Sequence, residues 1–483
     1  MAKRICLFSL AASILLIVPV LAFGQQEDAV EHFNKGAKLY KEGKLPESLA
    51  EFLAAKAGSP NDPLIYNWIG FLYLVQEKYA EAVQPLEQAV KLNPKYAEAY
   101  TNLGNAYQNT RRMDDAVSVF KKAIDLDPKS ANAHYNLGNI HSKMNKHPEA
   151  ILEFRKAADL NPNDPYVQSN LGYELQVTGK NSVAITHYER ATKLMPANAA
   201  FWLNLGLVQN DLKQYAGAKE SLTKAVTLDP KNSDAHIALG EALVNLKEGP
   251  AAIAHFEKAL AQNPKDFSSA FYLATLYSKS SHPKAISYYQ KALAARPNSA
   301  DAISGLGLVY FEDKNYDEAI TVFKQLSEAS PADPAAWQNL GAAYSMKGDN
   351  EGAARAFELA LTNNSDKKIE LRRWLGNYYI VKGELDKAET IYNKIVEDAP
   401  TNSEALDGLG RIADRRGKSD DAVKLYNRAI TADPKNKFAY NNLGVALEKK
   451  GMVDQATANY KKALAIDPNF ADARKNLERF GNK

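Results

Sequence analysis

Apolar side chains recur along this chain in clusters at helical spacing, and short polar turns separate one cluster from the next. In the stretch Tyr100 to Pro128 the first cluster is Tyr100, Leu103 and Tyr107, and the second is Ala116, Phe120, Ala123 and Ile124. Each fits one face of an amphipathic helix. The polar residues Asn109 to Asp114 lie between them, with Asp114 or Asp115 placed to cap the second helix. Pro128 ends that helix, because proline lacks an amide proton and disfavours helix in the residue before it. The spacing therefore predicts a helical hairpin.

The hairpin repeats. Gly104 stands in a column with Gly36, Gly70, Gly138, Gly172, Gly206 and Gly240, each 34 residues from the last. The column continues through Ala274, Gly307, Gly341, Gly376, Gly410 and Gly444, giving thirteen copies. A second column is alanine from Ala82 to Ala456, and only Ser48 in the first copy departs from it. Proline closes twelve of the copies. A glycine inside a helix costs about 1 kcal/mol relative to alanine, so close packing between the two helices of each hairpin is expected at that column. A fixed period of this length predicts an all-α solenoid that grows by stacking hairpins instead of enlarging one core.

These residues resemble the tetratricopeptide repeat (TPR) family, most fully in Trp337, Leu340, Gly341, Tyr344, Ala353 and Phe357. The resemblance spans Ala29 to about Phe470. It implies a right-handed superhelical α-solenoid of about 13 hairpins with a concave groove lined by each first helix. The repeats run from 29–62 to 233–266 in steps of 34, then 267–299, 300–333, 334–368, 369–402, 403–436 and 437–470. Within a repeat domain at 25–470, residues 362–368 interrupt the phase and are a candidate hinge between repeats 1–10 and 11–13. Residues 471–483 begin a further first helix without a partner and read as a capping helix and tail, which the end of a solenoid requires for solubility.

The N-terminus has a different pattern. Lys3 and Arg4 precede an apolar run from Ile5 to Leu21, followed by Ala22-Phe23-Gly24. This layout predicts a secretory signal peptide, residues 1–24. The expected location is exported, in a bacterial periplasm or secreted. The alternative is an uncleaved inner-membrane anchor at residues 5–21, which is the sole route to a membrane partner. Cys6, the single cysteine, lies in this run, so the mature chain has no disulfide framework. Loss of Lys3 and Arg4 leaves 58 basic and 57 acidic residues, a net charge of +1. Such a balance without a basic stripe argues against nucleic acid as a partner.

Candidate chemistry is sparse. The eight histidines show no metal-ligand spacing. His32, His134 and His236 share a column with Tyr66, Tyr100 and Trp202 and are expected to pack in an inter-helix seam. Gly417-Lys418-Ser419 lacks the spacing and the preceding strand of a phosphate loop. No catalytic grouping stands out, so an enzyme is not expected, nor a cofactor or metal.

The expected groove offers amides instead. Asn102, Asn136, Asn170 and Asn204 occupy one offset in successive repeats, and Asn105 and Asn139 a second, with Tyr135 and Tyr173 beside them. An amide side chain has donors and acceptors suited to both N–H and C=O of an extended peptide. The ladder is similar to that of O-linked N-acetylglucosamine transferases, which implies a peptide-holding role without the catalytic domain. Local helix-to-helix fit is the alternative explanation. Arg373, Arg411 and Arg415, beside Asn377, form a second candidate site for an acidic segment or C-terminal carboxylate, against the alternative of a solvated mixed-charge face. Repeat 2 carries an apolar set, Leu64, Phe71, Leu74 and Val75. The expected function is a non-enzymatic scaffold that binds a protein or peptide. A regulatory subunit of a separate glycosyltransferase or envelope enzyme, or a membrane-tethered assembly factor, are the alternatives.

Overall fold

The computed structural model describes residues 25–481; the predicted signal segment at 1–24 lies outside them. The described residues form 27 α-helices and no strand. They pair into thirteen hairpins, from Gln25–Lys41 with Leu45–Gly58 to Lys437–Lys449 with Val453–Ile466, and Ala471–Gly481 follows as the terminal helix. The chain divides into two compact units, one ending at Gln262 and one beginning at Asn263. The first holds hairpins one to seven, the second hairpins eight to thirteen and the terminal helix.

Local signals set the ends of each helix. Most first helices are capped by side chains one residue ahead of them, Ala97–Asn109 and Lys368–Lys382 being exceptions. Asp62 accepts from the Leu64 amide, Ser130 from Ala133, Asp164 from Tyr166 and Val167, and Asn232 from Ala235. Second helices start without such a cap, except Asn350–Thr362, where Asp349 accepts from the Gly352 amide at 2.8 Å. Helix Met113–Leu126 begins after Arg112, so Asp114 and Asp115 sit in its first turn and do not cap it. There they face the positive end of the helix dipole. A single left-handed residue closes many of the first helices, glycine at 43, 179, 348, 383, 417 and 451 but Glu77, Arg111, Asn145, Lys213, Lys247 and Lys314 elsewhere.

The glycine column is explained by one contact. The second helix of each hairpin points a large side chain at the glycine of the first. A Cβ on Gly104 would lie 2.6 Å from the Phe120 ring, and one on Gly240 would lie 2.7 Å from Phe256. Tyr392, Tyr426 and Tyr460 meet Gly376, Gly410 and Gly444 in the same way. These rings are among the most deeply buried side chains of the chain, and every alanine of the second column is fully buried beside them. Ser48 fits the alanine position because its hydroxyl donates to the Gly36 carbonyl at 2.8 Å.

Hairpin eight departs from this scheme. Its first helix, Phe267–Tyr277, has 11 residues where helix Ala97–Asn109 has 13. It carries a fully buried Ala274 in the glycine column, and its second-helix ring, Tyr289, packs edge-on against Phe271 at 6.1 Å. Tyr289 also lies against Gly305 of hairpin nine, where a Cβ would overlap its ring.

Residues 362–368, where the phase breaks, are tied back to neighbouring elements by side chains. Ser365 is fully buried and accepts from Gln338 Nε2 at 2.6 Å, and Asn363 donates to the Pro331 carbonyl at 3.1 Å. The division between compact units falls at 262/263. The terminal helix docks through buried Ala473 and through Asn476, which donates to Asn441 Oδ1 at 2.9 Å.

The glycine contacts set a sign that can be tested. Helix propensity alone makes Gly104→Ala stabilising by about 1 kcal/mol. The overlap with Phe120 makes it overpacking, which costs about 1–3 kcal/mol. Gly104→Ala and Gly305→Ala are both expected to lower the unfolding midpoint in urea, and a raised midpoint in either would refute the contact account.

Candidate functional site

Within each unit, first helices meet the first helix of the next hairpin as well as their own partner. Examples are Pro63–Val75 with Ala97–Asn109, Pro165–Val177 with Ala199–Asp211, and Ser403–Arg415 with Lys437–Lys449. The side chains along these contacts form the inner face of each stack, and every predicted site residue lies on first helices.

A recurring hydrogen bond ties this face together. The asparagine two residues before the glycine column donates its Nδ2 to the side chain three before the column in the preceding hairpin. Asn102 donates to Asn67 Oδ1 at 2.9 Å, Asn170 to the Tyr135 hydroxyl at 3.2 Å and Asn442 to Asp407 Oδ1 at 2.9 Å. Asn204 reaches Ser169 Oγ at 3.5 Å. Asn170 also donates to Asn139 Oδ1 at 2.9 Å. Each rung satisfies polar groups that packing has part-buried, where an unmade bond would cost about 1–3 kcal/mol.

Two predicted groove residues are therefore corrected. Asn102 is only 8% exposed and belongs to a closed network in which Asn67 donates onward to the Tyr96 hydroxyl at 3.0 Å. Tyr135 is 9% exposed, with its ring against Phe154 at 5.8 Å, so it is core. Asn139, Asn170 and Asn204 lie on the inner face with amide groups committed to rungs.

Asn105 and Asn136 are the exceptions in the first unit, as Asn339 is in the second. Asn105 and Asn136 stand at the offsets of Asn139 and Asn170, one hairpin earlier. Among the described residues their side-chain amides have no hydrogen-bond partner. The residue that would complete the rung is Thr101, and its hydroxyl donates to the Ala97 carbonyl at 3.2 Å instead. Both asparagines are partly exposed, and Tyr173 further along the face is 38% exposed. Sequence alone carries no sign of this: Thr101 is a hydroxyl at the offset where Ser169 meets Asn204, and it turns to its own helix instead.

The arginine cluster is internally matched. Arg373 pairs with Glu404, Arg411 donates to Asn377 Oδ1 at 2.7 Å, and Arg415 donates to the Ile380 carbonyl. Tyr392 also donates to Asn377 Oδ1, at 3.0 Å. Asp414 pairs with Lys449 at 2.7 Å, and burial pushes the Asp407 carboxyl up to about 6. The geometry favours a mixed-charge face. Gly408, at the offset where the next repeat carries Asn442, leaves room for the Tyr392 ring. In hairpin two, Phe71 and Leu74 are buried, Tyr40 packing edge-on against Phe71 at 5.6 Å, whereas Leu64 is exposed and Val75 half-buried.

The histidine seam is a hydrogen-bonded staple. The residue four before the glycine column donates to the carbonyl of the proline six residues back. Gln168 does so to Pro162 at 3.2 Å, Trp202 to Pro196 at 2.8 Å and Trp337 to Pro331 at 2.9 Å. His134 contacts Pro128 O at 3.3 Å and, through its other nitrogen, Glu153 at 2.5 Å. His236 contacts Pro230 O at 3.1 Å, and its Nδ1 lies 2.9 Å from His255 Nδ1. This pair borders a cavity of about 480 Å³ lined also by Thr227, Lys258 and Gln262.

Family models of the tetratricopeptide repeat match residues 69–131, 101–165, 170–233, 209–277, 276–344, 340–403 and 438–470, and a TPR repeat model matches 415–451. The tetratricopeptide repeat domain-containing protein PYG7, chloroplastic, of Arabidopsis thaliana is 31% identical over 87 residues, which is 17% of this chain. The chain spans 29% of that relative's length. Among solved structures, YrrB, described as a TPR protein with an unusual peptide-binding site, is 21% identical. That match covers 39% of this chain and 96% of YrrB, with a TM-score of 0.37. A MamA structure is 31% identical over 33% of this chain and 95% of its own, with a TM-score of 0.33. A chain of the Naa15/Naa10 complex bound to HypK-THB is 13% identical over 94% of this chain and 96% of its own, with a TM-score of 0.35.

The paired imidazoles give a pH prediction. Burial, with His236 and Lys258 adding to it, lowers the His255 pKa to about 4, whereas an unfolded imidazole takes its proton near 6.5. The folded state then binds fewer protons than the unfolded state between these values. The stabilisation is present above about pH 6.5 and is lost as pH falls towards 4. His255→Gln, which keeps a donor for His236, is expected to lose less melting temperature between pH 7 and pH 4.5 than the parent chain. Equal losses would rule this out.

Proposed function

The chain belongs to the tetratricopeptide repeat family, and we propose that it is a non-catalytic scaffold that holds an extended peptide segment of a partner protein. The contact surface is the inner face of hairpins three to six. Proteins of this family generally mediate protein–protein interaction and peptide binding, which supports a protein or peptide as the partner class. The observation that carries the reading is the open amide pair, Asn105 and Asn136, on a face where the asparagines of the following hairpins are committed to rungs. Each free amide offers two donors and an acceptor. That complement fits the alternating N–H and C=O of an extended backbone and is indifferent to its side chains.

The N-terminal layout of Lys3, Arg4 and the apolar run supports export, so we place this activity beyond the inner membrane. Mass measurement of the protein from native cells is expected to show Gln25 as its first residue, and an intact N-terminus would favour the tethered alternative.

The binding reading is tested with a random dodecapeptide library displayed on phage and panned on the purified protein. Selected peptides are then measured by fluorescence anisotropy. A buried-backbone hydrogen bond contributes about 0.5–1.5 kcal/mol, so Asn105→Ala combined with Asn136→Ala is expected to weaken binding roughly tenfold or more. Its melting temperature should stay unchanged, because neither amide has an internal partner. Asn102→Ala is the control: it breaks a closed network and is expected to lower the melting temperature. Unaltered affinity in the double variant would overturn the proposal.

A further inference from the structure

We infer that the segment bound on this face carries a large aliphatic or aromatic side chain about five or six residues from the part held by Asn105 and Asn136. The inference rests on the groove reading above and adds a specificity subsite to it. Its residues are Tyr173, Val177 and Leu207. They are 38%, 46% and 36% exposed.

The placement follows from the columns. Tyr173 and Leu207 stand one residue after the glycine column in hairpins five and six, and Val177 stands five after it. The same offsets are known to lie on the inner face from the contacts made elsewhere. Asn139, one after the column, meets Asn170 of the next hairpin, and Lys449, five after it, meets Asp414 of the preceding one. In hairpins three and four these offsets are polar, with Asn105, Asn139, Asn109 and Lys143. In hairpin seven they are Glu241 and Asn245. Apolar groups at these offsets, and exposed, mark out hairpins five and six in this unit.

Among the described residues, most polar groups around the patch are already matched, the buried Asn210 Oδ1 and the Tyr173 hydroxyl aside. Asn170 and Asn204 are held in rungs, Gln176 donates to Asp211 at 2.9 Å, and Tyr188 donates to Gln176 Oε1 at 3.0 Å. What remains uncovered is the hydrocarbon of Val177 and Leu207 and the Tyr173 phenol, and its apolar part gains about 25 cal/mol for each Å² removed from water. Polar complementarity at one end and apolar complementarity at the other select one class of occupant, an extended segment with a bulky apolar residue. Helices in contact lie 8–10 Å apart, so two hairpin steps span roughly 16–20 Å. At about 3.3 Å per residue an extended chain covers that in five or six residues.

The test uses the same phage-displayed dodecapeptides. Selected sequences are expected to share one large apolar residue. Val177→Glu combined with Leu207→Glu should weaken their binding at least tenfold, and Val177→Ala with Leu207→Ala by a smaller factor. Both pairs are exposed, so melting temperature serves as the check on folding. Replacing the shared apolar residue of the peptide by alanine should cost as much against the parent protein as the charged variant does, and little more against that variant. Unchanged affinity in the charged variant, with Asn105→Ala/Asn136→Ala still weakening binding, would overturn the subsite and leave the groove standing. Unchanged affinity in the asparagine variant would overturn both. Selected peptides without a recurring apolar residue would also overturn the subsite.

Discussion

The contact between a first-helix glycine and a ring or leucine from the second helix is the constraint on which the rest of this chain depends. It fixes the crossing of the two helices, and the fully buried alanines beside it leave no slack in the interface. Repeating that crossing sets first helices side by side within each unit. The inner face is a by-product of the same geometry. Its columns are aligned because the glycines are aligned, and an aligned face is what allows a side chain in one hairpin to find the same partner offset in the next.

Alignment brings polar groups together as readily as apolar ones. Most asparagines on the inner face answer their neighbours, as Asn102 answers Asn67 and Asn442 answers Asp407. Binding capacity is what remains after that internal accounting. Asn105 and Asn136 remain because Thr101 turns its hydroxyl to its own helix. Tyr173, Val177 and Leu207 remain because nothing in the described chain covers them.

The repeat was legible in sequence because packing is local there. A glycine and the ring that meets it lie within one period, and proline and capping residues mark its ends. The all-α class, the hairpin count and the docked terminal helix follow from that. The binding surface was legible in outline only. An asparagine read alone gives no sign of whether it is spent, since its partner lies 35 residues away in another repeat. Tyr135 looked like groove and is core because Phe154 lies behind it. Residues 362–368 break the period, and Ser365 and Asn363 make hydrogen bonds of their own where the proline is lost.

Hairpin eight carries a different lesson, about modularity. In hairpins such as three and seven, ring and glycine belong to the same hairpin, so each carries its own closure as a self-contained cassette. Tyr289 lodges in Gly305 of the following hairpin, and Tyr392 touches both Gly376 and Gly408. At those places the unit of inheritance is a pair. A duplication or deletion that cut between hairpins eight and nine would part Tyr289 from Gly305, whereas one that cut between three and four would leave Phe120 with Gly104. The chain's length is thus free to change at some joints and locked at others.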